Sequence, residues 1–158
     1  MTNSNIKGLS LKEIQKSNKK LDAQKTVYVQ MEGKEFKIEV DEFFRKSKQA
    51  SLLDDIVKFM TTVEDKGSLD LSMAYTKLLM IKHFTSLDVP DDIPVAIKML
   101  RMLIDLDLLD QVVNEMPEEE VTKMTELITE NIHGLADQYE EISKQVKSKE
   151  LKEMLRVE

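Results

Sequence analysis

Almost the whole chain spaces its apolar residues for helices, and one stretch does not. From Thr26 to Val40 polar and apolar residues alternate, which is the period of a strand. Val27, Val29 and Met31 share one face of the first arm. Phe36, Ile38 and Val40 share a face of the second, and Glu32-Gly33-Lys34 forms the turn. Gly33 supplies the positive φ that a tight hairpin demands. A two-stranded hairpin is marginal by itself in water, so its apolar face needs a cover. The helices after Asp41, or another subunit, are expected to provide it, with Phe36 and Ile38 packed inward.

Around this hairpin the helical pattern is read as follows. Ser10-Leu11-Lys12-Glu13 is a capping box opening a short helix to about Lys20, with Leu11, Ile14 and Leu21 available for burial. Asp41 is placed to cap a helix containing Phe43 and Phe44. Ser51-Leu52-Leu53-Asp54 restarts or continues it, and the pattern stops near Gly67. From about residue 69 to Thr85 apolar residues occur on more than one side, the mark of a central, buried helix. Asp91 or Asp92 caps the next helix, with Pro94 in its first turn. Asp105-Leu106-Asp107 is a potential break before Leu108, Leu109, Val112, Val113 and Met116.

Pro117 opens the last helix, with Glu118, Glu119 and Glu120 at its positive end. Val121, Ile128, Leu135 and Ile142 fall seven apart. Ile132, Tyr139 and Val146 form a second sevenfold series, and Met124 joins the stripe. This stripe either closes the fold or pairs with another protein. Gly134 inside it allows a close backbone approach or a kink. The expected fold is mainly α, a helical bundle with a small N-terminal β-hairpin. Residues 1–24 form a basic, partly flexible leader, 25–147 the hairpin and helical domain, and 148–158 a charged tail.

Composition narrows the function. The chain has 158 residues, four Gly, three Pro, no Cys and two His. Without cysteine there is no disulfide scaffold, thiolate metal site or thiol nucleophile. No run approaches the roughly 20 apolar residues of a membrane span, and the N-terminus lacks the apolar core of a signal peptide. A cytoplasmic location is expected. Residues 1–25 carry six lysines against Glu13 and Asp22, a balance of +4; the total being −7, the rest carries −11. An acidic body repels nucleic-acid phosphates. The basic arm is read as a solvated tail, with a phosphate or an acidic partner as the alternative.

Catalytic patterns fail in turn. His83 has Leu79 and Leu87 at i−4 and i+4, so a structural or surface role is expected. His133, with Glu130 and Asp137 nearby in helical spacing, reads as solvated. An EF-hand loop from Asp105 would need Gly at its sixth position and Glu at its twelfth; the chain offers Asp110 and Met116. No glycine loop for phosphate and no nucleophile elbow occurs. No enzyme activity, cofactor or metal is therefore expected. Met73, Met80, Met99, Met102, Met116 and Met124 are assigned to an irregular core in preference to an adaptable groove for partner helices.

The order of parts is a basic leader, the hairpin Val27-Tyr28-Val29-Gln30-Met31-Glu32-Gly33-Lys34-Glu35-Phe36-Lys37-Ile38, then acidic helices. This layout resembles the tail assembly chaperones of long-tailed bacteriophages and of prophages in Gram-positive bacteria. The resemblance implies a non-enzymatic protein that binds the hydrophobic, helical tape measure protein in the host cytoplasm and tends to form homo-oligomers. A helical regulatory adaptor and a structural tail component are the alternatives. Val121, Ile128, Leu135, Tyr139 and Ile142 are the expected partner-binding residues.

Overall fold

The computed structural model describes residues 6–62, 69–134 and 144. Its elements run α1 (Leu11–Lys20), β1 (Gln24–Met31), β2 (Lys34–Asp41), α2 (Lys46–Thr62), α3 (Leu69–Phe84), α4 (Ile93–Asp105) and α5 (Leu108–Asn114). A sixth helical run, α6, occupies 118–134. The fold is mainly α with one N-terminal hairpin, as expected. The chain divides into two compact units, Met1–Glu120 and Val121–Glu158.

The hairpin is antiparallel, pairing Gln24 with Asp41 through to Met31 with Lys34. Glu32 (φ 52°) and Gly33 (φ 75°) both adopt positive φ. A two-residue loop with that pair of signs matches the right-handed twist of the strands. Val27, Val29, Ile38 and Val40 are buried as the alternation required. Phe36 is not: it stays 43% exposed. It lies near the turn, beyond the reach of the cover that buries Val40. The cover comes from a helix after Asp41, as expected: β1 packs against α5.

The hairpin edges are partly closed. On β2, Ser86 donates its N–H to the Glu39 carbonyl (2.9 Å) and its Oγ accepts from the Glu39 N–H (3.0 Å). On β1, the Gln111 side-chain amide accepts from the Gln30 N–H (3.0 Å) and donates to the Gln30 carbonyl (2.9 Å). A side chain thus imitates a neighbouring strand where an open edge would invite pairing.

Asp41 does not cap a helix. It ends β2, is buried, and accepts from Gln24 Nε2 (2.8 Å) and Lys48 Nζ (2.6 Å). This fixes the hairpin base to the first turn of α2, which starts at Lys46. Phe44 stacks on Phe84 with centroids 3.8 Å apart, and Phe59 stacks on Tyr75 at 4.2 Å. Val40, Leu52, Leu78, Ile81, Phe84 and Leu100 are fully buried, so α3 is the central helix of the first unit. Asp92 caps α4, accepting from the Val95 N–H. Asp107, at φ 57°, makes the break between α4 and α5. Gly67 lies outside the described residues. Among the described residues, a Cβ on Gly134 would meet nothing within 4 Å.

In α1 the Ser10 cap forms as expected, accepting from the Glu13 N–H. The burial does not: α1 has no buried residue, and Leu11, Ile14 and Leu21 are 69%, 50% and 40% exposed. The chain attaches α1 through its polar C-terminal end instead. Arg45 donates to Asn18 Oδ1 (2.7 Å) and the Asn18 carbonyl (2.8 Å), and pairs with Asp22.

Candidate docking site

α4 carries more apolar surface than the core can use. Its core side is Ala96, Leu100 and Leu103, all buried, at helical spacing. A second series, Val95, Met99, Met102 and Leu106, recurs at intervals of four, three and four, which also places it on one face. Val95, Met102 and Leu106 are 46%, 57% and 42% exposed, and Met99 is half-buried. An apolar stripe that stays outside the core makes this face a candidate contact surface. Two methionines in it add the conformational freedom to fit differing partners.

Beside the hairpin tip is an apolar groove of 350 Å³. Val29, Met31, Phe36, Leu87, Leu103 and Leu108 supply most of its apolar wall, with Lys37 and Asp88 among its polar lining. The wall forms because the hairpin face runs past its helical cover: Ile38 is sealed, while Phe36, two residues nearer the turn, stands open.

The titratable side chains gather elsewhere, between α2 and α3. Asp55 accepts from Lys82 Nζ at 2.9 Å, and His83 Nε2 lies 2.7 Å from the same carboxylate oxygen. Lys82 also reaches Asp91 at 2.7 Å. Burial pushes the Asp55 carboxyl up, but the Lys82 and His83 hydrogen bonds together outweigh it and hold the group below the usual carboxylate range. Burial likewise pulls Lys82 down, and Asp91 and Asp55 more than restore it, so its ammonium is held above its ordinary value. Burial pushes the Tyr75 hydroxyl up. The geometry ties two helices and a loop together. Among the described residues no group of His, Cys, Asp and Glu is arranged to hold a metal ion. No described helix is long and apolar enough to cross a membrane.

Of the residues expected to bind a partner, Ile128 is buried and Val121 half-buried. Leu135, Tyr139 and Ile142 lie outside the described residues. The methionines divide: Met80, Met116 and Met124 are buried, whereas Met73 and Met102 are each 57% exposed. The core assignment of Met99 and Met102 hid the α4 stripe as a site, since Met102 is exposed. The available signal was an apolar arc wider than one core-facing stripe needs.

The YomO family model matches residues 11–156, and the chain belongs to that family. It is 28% identical over 153 residues to the "SPbeta prophage-derived uncharacterized protein YomO" of Bacillus subtilis strain 168, covering 90% of this chain and 89% of that protein. No solved structure matches the chain. The prophage association is thus the part of the resemblance that the relatives support.

Proposed function

We propose that this YomO-family protein is a non-enzymatic tail assembly chaperone, which holds hydrophobic helical segments of a tape measure protein in the host cytoplasm until a phage tail is built. The observation that carries the reading is the outer stripe of α4 and its C-cap, with Val95, Met102 and Leu106 exposed beside the half-buried Met99. An amphipathic helix laid across such a stripe would exchange two wet apolar faces for one dry contact. The acidic balance of the chain outside its leader keeps a complex with an apolar partner dispersed. The match to a prophage-derived relative supplies the phage context.

The test is co-expression with a candidate tape measure protein. Partner solubility and co-purification are expected with the unaltered chain. Met102→Gln combined with Leu106→Gln should reduce both while leaving the melting transition in place, because both residues are exposed. A partner equally soluble with and without the chain, and absent from the purified fraction, would leave the helical adaptor as the better reading.

A further inference from the structure

We propose that α1, with Leu9 ahead of it, is a membrane-surface helix: its aliphatic stripe enters an anionic lipid bilayer and its lysines meet the headgroup phosphates. The helix lies on the bilayer and does not cross it. This goes beyond the chaperone reading and uses a different surface from the α4 stripe.

The stripe of this arm has no cover of its own. With about 100° of turn per residue, Leu11, Ile14 and the C-cap residue Leu21 fall within an arc of roughly 80°. Leu9 is 83% exposed and lines the shallow cleft beside Ile14 and Leu21, so the aliphatic strip continues past the start of the helix. A helix of ten residues is too short to be stable on propensity alone and normally gains its stability by burying its apolar face. α1 buries no residue. Arg45 holds its C-terminal end through Asn18 and Asp22 and leaves the stripe in solvent.

The placement of charge names the occupant. Residues 6–21 carry Lys7, Lys12, Lys16, Lys19 and Lys20 against Glu13, a balance of +4. Among the described residues no carboxylate pairs with any of these lysines. On the helix they occupy both shoulders and the back. Lys19 stands roughly 80° from Leu11, and Lys20 roughly 100° from Leu21 on the other side, with Lys12 and Lys16 between them. A protein groove would take the stripe alone, and cations on the far side would point away from its rim. A bilayer differs, because the headgroup layer surrounds a helix that has sunk to its level, and lysine stems bend along apolar surface to reach phosphate. α1 has the pattern of such an interfacial helix: strongly two-faced, polar on average, and lysine-rich on its polar side. The chain after residue 25 balances at −11, from −7 overall and +4 before it. An anionic surface therefore attracts the arm and repels the body, which sets the orientation. Residues 6–21 contain no Trp or Tyr to anchor at a neutral interface, so the binding depends on anionic lipid.

The experiment floats the full-length protein with lipid vesicles on a density gradient at low salt, with no other protein present. The vesicles are phosphatidylcholine alone, or phosphatidylcholine mixed equally with phosphatidylglycerol. The chain should float with the anionic vesicles and bind the neutral ones roughly tenfold more weakly or worse. Leu11→Gln with Ile14→Gln removes the inserted stripe; Lys12→Gln with Lys16→Gln halves the arm's net charge. Each should weaken binding to anionic vesicles roughly tenfold or more, while circular dichroism and melting without vesicles stay unchanged. Loss in the first of these separates insertion from adsorption by charge alone. Met73→Gln, exposed on α3, should bind as the unaltered chain does. Failure to float with anionic vesicles would overturn the proposal and make an acidic protein the better partner for the arm. Equal binding to both kinds of vesicle, unchanged binding by either arm variant, or an equal loss in the Met73 variant would overturn it as well. The vesicles hold no tape measure protein, so the chaperone reading fails or stands separately.

Discussion

α1 and α3 are both regular helices of one unit, and they are held in place by opposite means. α3 is apolar on several sides and buries Tyr75, Leu78, Leu79, Met80, Ile81 and Phe84. α1 is more cleanly two-faced, yet it buries nothing and rests on Arg45. A strongly amphipathic pattern therefore says that a helix has a face to cover, not that its own chain covers it. α3 needs no partner because it is surrounded. α1 is left with its apolar face in water, a costly state for an amphipathic helix.

The comparison breaks most directly by truncating each helix. Leu78→Ala in α3 should cost about 2–5 kcal/mol, as for other fully buried leucines, read from denaturant unfolding. Leu11→Ala in α1 should stay within about 0.5 kcal/mol, measured on dilute protein. Similar costs for both would mean that α1 is packed in solution.

A smaller effect tests the polar clamp that joins α3 to α2. The folded-state pKa of Asp55 is depressed. Its stabilising contribution is therefore present above the unfolded carboxylate range, near 3.8, and is lost as pH falls through the folded value. For Lys82 the folded value is raised, so its contribution is present below its unfolded value and is lost as pH rises past the folded one. Asp55→Asn should flatten the acid side of the stability curve and leave the neutral plateau lower. An unchanged acid limb would show that the clamp contributes nothing to folding.

The smallest effect sharpens the contrast at α1. Arg45→Ala should leave global stability within about 1 kcal/mol, the range of exposed ion pairs. Amide exchange in α1 should nonetheless speed up while that of α3 holds. Exchange in α1 as slow as before would mean that something besides Arg45 secures the arm.

Much of this architecture was legible because it is local. Ser10 and Asp92 announced their caps, Gly33 its turn, and the Asp105–Asp107 stretch its break, since each acts within a few residues of itself. The clamp was not legible. His83 has only leucines at i−4 and i+4, and its partner Asp55 comes from another helix, 28 positions away. Gln111 closing the β1 edge at Gln30 spans 81 positions and has no periodic signature. Phe36 was misread for the same reason. Alternation assigns it to the apolar face but cannot say how far along the strand the cover extends.

The sequence by itself determined the class of the protein: helices from spacing, one hairpin from alternation, and a chain without the residues for thiol or clustered-histidine chemistry. These follow from backbone periods and side-chain inventory, which any stretch carries with it. Only the tertiary structure decided which apolar faces were spent. Burial depends on what lies opposite each face. The same pattern thus hides Leu100, exposes Met102 and Phe36, and leaves α1 with its stripe unused.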